Sequence, residues 1–213
     1  MTKAVYLLGS GGHGRVVLDA LLSSGVNVAG ILDPNLEVGD RVFGVLVMGS
    51  DEFLDQVAPT GVLLVNGLGA NPCVRSRKRL FENLKARDFS FDVVRHSSVV
   101  IASECDLGES SQIMAGAVLQ NRVRIGDNAV INTRVSVDHD CVIGAHAFVS
   151  PGVVLTGNVL VGESAFIGAG AVVLPGIETG TNVVIGAGAV VTKSVPDGWI
   201  VAGNPAVKIG MNK

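Results

Sequence analysis

Among the four histidines of the 213-residue chain, two lie close together, in Val137-Asp138-His139-Asp140-Cys141 and Gly144-Ala145-His146. A carboxylate beside an imidazole holds one ring nitrogen protonated and raises the basicity of the other. His139 with Asp140 therefore has the makings of a general base, although Arg122 competes for the carboxylate and an exposed surface histidine is the simpler reading. A second group of residues lies near the N-terminus, where Gly9-Ser10-Gly11-Gly12-His13-Gly14 matches G-x-G-x-x-G and Asp33 follows at the distance of a ribose-binding acid. Such a turn offers backbone N–H groups at a helix start to a phosphate. A nucleotide diphosphate, a dinucleotide and a purely structural turn all satisfy it. His13 would add a titratable donor beside the phosphates. Arg75, close to the glycine turn at 67–69, is the best-placed cation of the basic segment 72–87, whose other charges read as a solvated face.

These residues must be held by two kinds of element. Residues 1–95 alternate strand and helix: strands at 4–8, 27–32, 62–66 and 89–94, helices at 15–24, 51–57 and 72–87. That order implies a short parallel sheet with crossovers. From Ile101 the chain repeats every six residues through Leu107, Ile113, Leu119 and onward to Val191, and only Thr179 breaks the aliphatic series. A small or β-branched residue follows four positions later, as at Ala117, Val135, Cys141 and Ala165. Such a period fits a coil of short parallel strands with three hexads per turn, so that residue n stacks on n+18 about 4.8 Å away. Glycine favours the position after the aliphatic one, where a corner would ask for a positive φ. In this frame His139 faces outward, with Asn121 below it and Gly157 above it, and Asp140 stacks between Arg122 and Asn158. Cys141 points inward, which makes it an unlikely acyl carrier. Val130, Phe148, Phe166 and Val184 form an outward apolar ladder, the mark of an interface between copies or of contact with an apolar cofactor arm.

Composition narrows the classes. A net charge of −3 and the lack of a dense basic stripe argue against a nucleic-acid surface. No apolar run is long enough for a membrane span, and glycines interrupt the first apolar run too early for a signal peptide. Three cysteines without a CxxC pair suggest a reducing, cytoplasmic setting.

The hexads, the segment 137–141 and the tail Val195-Pro196-Asp197-Gly198-Trp199-Ile200-Val201-Ala202-Gly203-Asn204-Pro205-Ala206 resemble the hexapeptide-repeat acyltransferases. The opening glycine turn with His13 narrows the likeness to the sialic acid O-acetyltransferase-like family, which includes the acetyltransferases of bacillosamine and perosamine biosynthesis. The resemblance implies an α/β N-terminal domain (1–95) that binds a sugar nucleotide, followed by a left-handed parallel β-helix (96–213). It also implies a homotrimer with acetyl-CoA between neighbouring helices and no metal. By position, His139 matches the general base and Asp140 the acid that raises its basicity. Gly11, Gly12, His13, Asp33 and Gly69 match substrate contacts, while Phe148, Ala169 and Ala187 match positions near acetyl-CoA. Relatives often place a histidine where this chain has Phe148; here it falls two residues earlier, at His146, and the role is not carried over. Backbone N–H groups near Gly157 would stabilise an oxyanion on the thioester. The expected reaction is acetyl transfer to the amino group of a nucleotide-linked 4-amino-4,6-dideoxy sugar. O-acetylation of a sialic acid or another sugar is the alternative within the class. A γ-carbonic anhydrase-type metalloenzyme is the remote alternative outside it: it needs three zinc ligands, whereas only His139 and His146 lie on the coil proper, with His96 at its mouth, in a spacing unlike that family's.

Overall fold

Leu7, Leu8, Ile31, Leu32, Leu64 and Val65 are almost fully buried, as expected of parallel strands covered on both faces. In the computed structural model, which describes residues 3–212, they belong to β1 (Ala4–Leu8), β2 (Val28–Leu32) and β5 (Val62–Asn66). With β3 (Arg41–Val42) and β4 (Val45–Gly49) they form one sheet of order β3-β4-β2-β1-β5, parallel except for β3. Helices α1 (Gly12–Ser23) and α2 (Arg75–Lys85) complete this part. The chain leaves β1 toward β2 on one side and returns as β5 on the other, so the carboxyl end of β1 is a switch point, where α/β sheets open a crevice. The turns at 9–14 and 67–69 and the carboxylate of Asp33 all follow strand ends at that crevice.

Two expectations change here. The hairpin β3–β4 was not visible in the sequence. Its turn places Phe43 at φ 48° and Gly44 at φ 83°, a left-handed pair in which Phe replaces the usual Asn or Asp. The strand expected at 89–94 is only a single bridge from Phe91 to Leu64, after which Val94–Arg95 joins the coil by pairing with Gln112–Ile113.

The remainder is a left-handed parallel β-helix of two-residue strands. Its first face runs Val100–Ile101, Val118–Leu119, Ser136–Val137, Val154–Leu155, Val172–Val173, Val190–Val191. The second runs from Asp106–Leu107 to Glu178–Thr179, and the third includes Gln112–Ile113, Val130–Ile131, Phe148–Val149, Phe166–Ile167 and Val184–Ile185. Pairing holds the n to n+18 register up to Val190–Val191 and shortens at the end of the coil, where Val184 pairs with Ile200 and Thr179 with Val195; the aliphatic and small positions fill a continuous buried core. The glycines directly after the aliphatic position, however, are not there for a positive φ. Left-handed residues sit two positions later, at Arg122, Asn128, Asp140, His146 and their equivalents. Glycine follows the aliphatic residue because coils approach too closely for a Cβ: one on Gly144 would stand 2.7 Å from Glu163 N. Among the described residues no helix is long and apolar enough to cross a membrane.

The apolar ladder also departs from expectation. The N-terminal part packs on the third face, where Val74 forms a buried cluster with Val130 and Phe148, bordered by Ala70 and Phe166. Phe148 is 5 % exposed and stacks on Phe166 at 5.7 Å between centroids. This strip is the chain's own inter-domain contact, so it is not left open for a second copy.

Candidate active site

His139 and Asp140 occupy the corner between the first and second faces, at the level of Ser136–Val137 and Val142–Ile143. His139 Nδ1 lies 2.8 Å from Asp140 Oδ2. Arg122, one coil below, donates to both carboxylate oxygens, Nε to Oδ1 at 2.7 Å and Nη2 to Oδ2 at 2.9 Å. The competition between Arg122 and His139 for the carboxylate thus resolves into sharing. Arg122 first and His139 second hold the Asp140 carboxyl well below the usual carboxylate range. An ionised carboxylate only accepts, so Nδ1 carries a proton, and in the neutral ring the lone pair is on Nε2. Above the ring, a Cβ on Gly157 would stand 2.7 Å from Nε2 and 2.8 Å from Cε1. Any side chain at 157 would cover the basic atom. The neighbouring Cys141 is buried, donates to Thr156 O at 3.1 Å, and has its thiol pushed up by burial.

The second group lies at the sheet crevice. A Cβ on Gly14 would meet Gly9 O at 2.2 Å, and one on Gly67 would meet the same oxygen at 2.1 Å. The two turns therefore touch backbone to backbone. Gly11 and Gly12 are exposed with open space around them. Gly69 lies over His13, where its Cβ would be 2.9 Å from the histidine Cβ. Asp33 braces the loop: Oδ2 accepts from Ser10 N at 2.7 Å and Ser10 Oγ at 2.8 Å, and Oδ1 from Asn35 N at 2.9 Å. Burial alone would raise its carboxyl, but the hydrogen bonds from Asn35 and Ser10 outweigh it and hold it low. Arg75 is exposed, bonded to Cys73 Sγ at 3.2 Å, and lines a separate cavity with Pro72, Ser164, Asn182 and Asn212.

A buried polar chain that the sequence reading missed ties this loop to the coil. Gln112 Nε2 donates to Asn66 O at 2.6 Å, and Gln112 Oε1 faces His13 Nε2 at 3.0 Å. Arg77, 1 % exposed, donates from Nη1 to Asn66 O at 3.0 Å and Leu68 O at 2.8 Å, and from Nε to Asn128 O at 3.3 Å. Burial without a carboxylate lowers its pKa to about 9. Asn66 Nδ2 reaches Asn128 Oδ1, and Asn128 Nδ2 reaches His146 Nδ1 at 3.0 Å. His146 is thus a buried joint residue, packed edge-on to Phe81. The one available signal was Gln112, a polar residue in register with an otherwise apolar ladder.

The two groups do not meet within one chain. His13, Gln112 and Phe148 lie at the third face, whereas His139 and Gly157 lie at the corner opposite that face. Ala169 and Ala187 are exposed on adjacent coils of a different corner, joined through Gly188 N to Ala169 O at 2.8 Å, whereas Phe148 is buried on the third face. Among the described residues no three His, Cys, Asp or Glu side chains cluster as a metal ion would need.

A small α/β unit ending in glycine turns, seated on a three-faced coil of hexads, is the build of a hexapeptide-repeat transferase. Residues 4–84 match the PglD N-terminal domain, and residues 122–157 and 158–193 match the bacterial transferase hexapeptide repeat. The acetyltransferase domain of PglB from Neisseria gonorrhoeae is 32 % identical over 98 % of this chain and 100 % of that one, with a TM-score of 0.89. That domain has also been solved with acetyl coenzyme A. PerB from Caulobacter crescentus, solved with CoA and GDP-perosamine, is 38 % identical over 99 % of each chain with a TM-score of 0.88. WeeI from Acinetobacter baumannii is 26 % identical over 98 % of this chain and 100 % of that one, with a TM-score of 0.79. No curated protein sequence matched. The chain belongs to the hexapeptide-repeat acetyltransferases that carry a PglD-type N-terminal domain.

Proposed function

We propose that the chain is an acetyl-CoA-dependent N-acetyltransferase for the amino group of a nucleotide-linked 4-amino-4,6-dideoxy sugar, working in the cytoplasm as a homotrimer. The observation that carries this reading is the His139–Asp140–Arg122 arrangement, which leaves one basic nitrogen facing the room that Gly157 provides. A neutral sugar amine attacks the thioester carbonyl, and His139 Nε2 takes the proton lost by the nitrogen. The C–S bond then breaks, and the imidazolium returns the proton to the departing thiolate. Gly11, Gly12 and His13 contact the nucleotide sugar, with Asp33 and Gly69 shaping the pocket. Ala169 and Ala187, at the far edge of the first face from His139, offer backbone to acetyl-CoA. PerB, with GDP-perosamine bound, supports an amine acceptor over a hydroxyl one.

Where the parts lie supports an assembly of copies, and the three-faced coil suits a ring of three. With His139 across the coil from its own glycine loop, a complete site takes the base from one copy and the loop from the next. On the first face, beside His139, Val100 and Val154 are 58 % and 38 % exposed and Val118, Val172 and Val190 half-buried, with Ser136 between Val118 and Val154. A second copy laid there buries these side chains.

The test is release of CoA thiol by purified protein with acetyl-CoA and a panel of UDP-, GDP- and dTDP-linked 4-amino sugars and free sialic acid. Turnover of one amino sugar is expected, with His139→Ala lowering kcat by about 10²- to 10⁴-fold and Cys141→Ser leaving kcat near wild type. Acetylation of sialic acid alone, or equal losses from both substitutions in folded protein, would sink the reading.

A further inference from the structure

The buried chain at the joint fixes more than position. Asn66 O can only accept, so the Gln112 amide must turn its NH₂ there, and its Oε1 must then face His13. An amide oxygen facing an imidazole nitrogen demands a proton on that nitrogen, which places the hydrogen on His13 Nε2. Gly69 covers the Cβ, Cγ and Cδ2 atoms of the residue, which leaves Nδ1 on the other edge, with no hydrogen-bond partner among the described residues. We propose that Gln112 acts as a positioning residue that locks His13 as the neutral Nε2–H tautomer, so that its Nδ1 accepts a hydrogen bond from an N–H or O–H of the bound nucleotide sugar.

The proposal rests on the function proposed above and changes what His13 does within it. A phosphate oxygen is an acceptor at neutral pH, and two lone pairs facing each other repel. His13 therefore does not serve the phosphates. That task falls to the N–H groups of Gly12, His13 and Gly14, which precede the first helical bond, Arg15 N–H to Gly11 O at 2.9 Å. Three features keep the imidazole neutral. The ring is largely buried, the Arg77 guanidinium is close, and the ring sits in the first turn of α1, where the helix dipole opposes a cation. Together, burial first and Arg77 second, they lower its pKa to about 4 despite the bond to Gln112. Arg77 is the charged group facing it from α2. From the coil it meets Gln112 and Phe148, its ring 5.7 Å from that of Phe148, and from the 67–69 turn Gly69, none of which is charged.

The tautomer is read without any substrate, by ¹⁵N NMR of histidine-labelled protein with His13 assigned from the His13→Asn spectrum. The expected state is neutral Nε2–H from pH 5.5 to 8. An Nδ1–H tautomer or an imidazolium at pH 7 overturns the proposal. Recognition is read as KM with GDP-perosamine and with a UDP-linked 4-amino-4,6-dideoxy sugar. His13→Leu should raise the nucleotide-sugar KM about tenfold, the scale of one lost hydrogen bond, and leave the acetyl-CoA KM unchanged. His13→Asn, whose amide oxygen reaches the Nδ1 position, should recover most of the loss. In Gln112→Glu a carboxylate replaces the amide, and His13 becomes protonated at neutral pH with the same rise in KM, relieved as pH increases. An unchanged KM in His13→Leu, or in a Gln112→Glu protein whose His13 is protonated, overturns the acceptor role. Wild-type protein that bound none of the UDP-, GDP- and dTDP-linked 4-amino sugars would overturn that role together with the functional reading, whereas the NMR result stands or falls independently.

Discussion

A methyl group at position 157 would come within 2.7 Å of His139 Nε2, and this gives the dyad its sharpest test. Gly157→Ala adds no charge and requires no positive φ, so the coil should form as before. The ring must nevertheless swing off its Asp140 partner or be capped at its basic nitrogen. A misplacement of about 1 Å at a reacting group costs on the order of 10²-fold. The expected result is a kcat lower by about that factor, with circular dichroism and melting temperature close to wild type. A fully active Gly157→Ala enzyme would show that Nε2 is not the working atom. Asp140 behaves differently with pH. Its carboxyl is held low by Arg122 and His139, so it stays ionised throughout the working range. Asp140 should therefore contribute no limb of its own to the rate profile in that range, and replacing it with Asn should lower kcat without removing one.

At the scale of elements, the hexad was legible because a single steric demand recurs at every coil: an aliphatic side chain inward, then a small one four positions on. That period fixed the register and set His139 outward above Asn121. It did not fix what covers an outward position. The ladder of Val130, Phe148 and Phe166 is apolar whether a second copy or the chain's own Val74 lies over it, and only the tertiary structure decides. Arg77 was unreadable for a similar reason: within a run of basic residues nothing marks the one that turns inward to cap Asn66, Leu68 and Asn128. This joint is sensitive to acid. His13 has a folded pKa of about 4 against 6.5 unfolded, and burial lowers His146 as well. Between these values the unfolded chain binds more protons than the folded one, so stability rises with pH across that window. It is complete above about 6.5 and falls as pH drops toward 4. His13 alone should cost roughly 2 kcal/mol at pH 5. Urea midpoints at fixed protein concentration should fall from pH 7 to pH 5, and less so in His146→Asn. The same joint should loosen when Phe148, packed between His13 and Phe166, is cut to Ala. The expected loss is about 3–5 kcal/mol, with hydrogen exchange rising first in α1 and the third-face strands rather than on the first face.

For the whole molecule the decisive geometry is the width of the coil between the glycine loop and the base. The loop is fixed to the third face by Gln112 and Val74, and His139 stands on the corner farthest from it. No movement of side chains closes that gap, because the core between them is continuously packed with Ile, Val and Ala. The homotrimer proposed above would remove the difficulty, since rotation in a closed ring would bring the base of one copy to the loop of the next. Two inactive variants can therefore complement each other. Gly12→Trp fills the open space before His13, where a Cβ meets nothing within 4 Å, and should block the sugar nucleotide without disturbing the fold. His139→Ala removes the base. Each alone should be inactive as a homotrimer. Mixed in equal amounts and reassembled, random trimers pair an intact loop with an intact base at about a quarter of their interfaces, if each site draws on two copies. Activity should return to about a quarter of the wild-type value per chain. A site built within one chain gives no such recovery, because every chain in the mixture lacks one of the two parts; mixed trimers that form and stay inactive would count against the shared site.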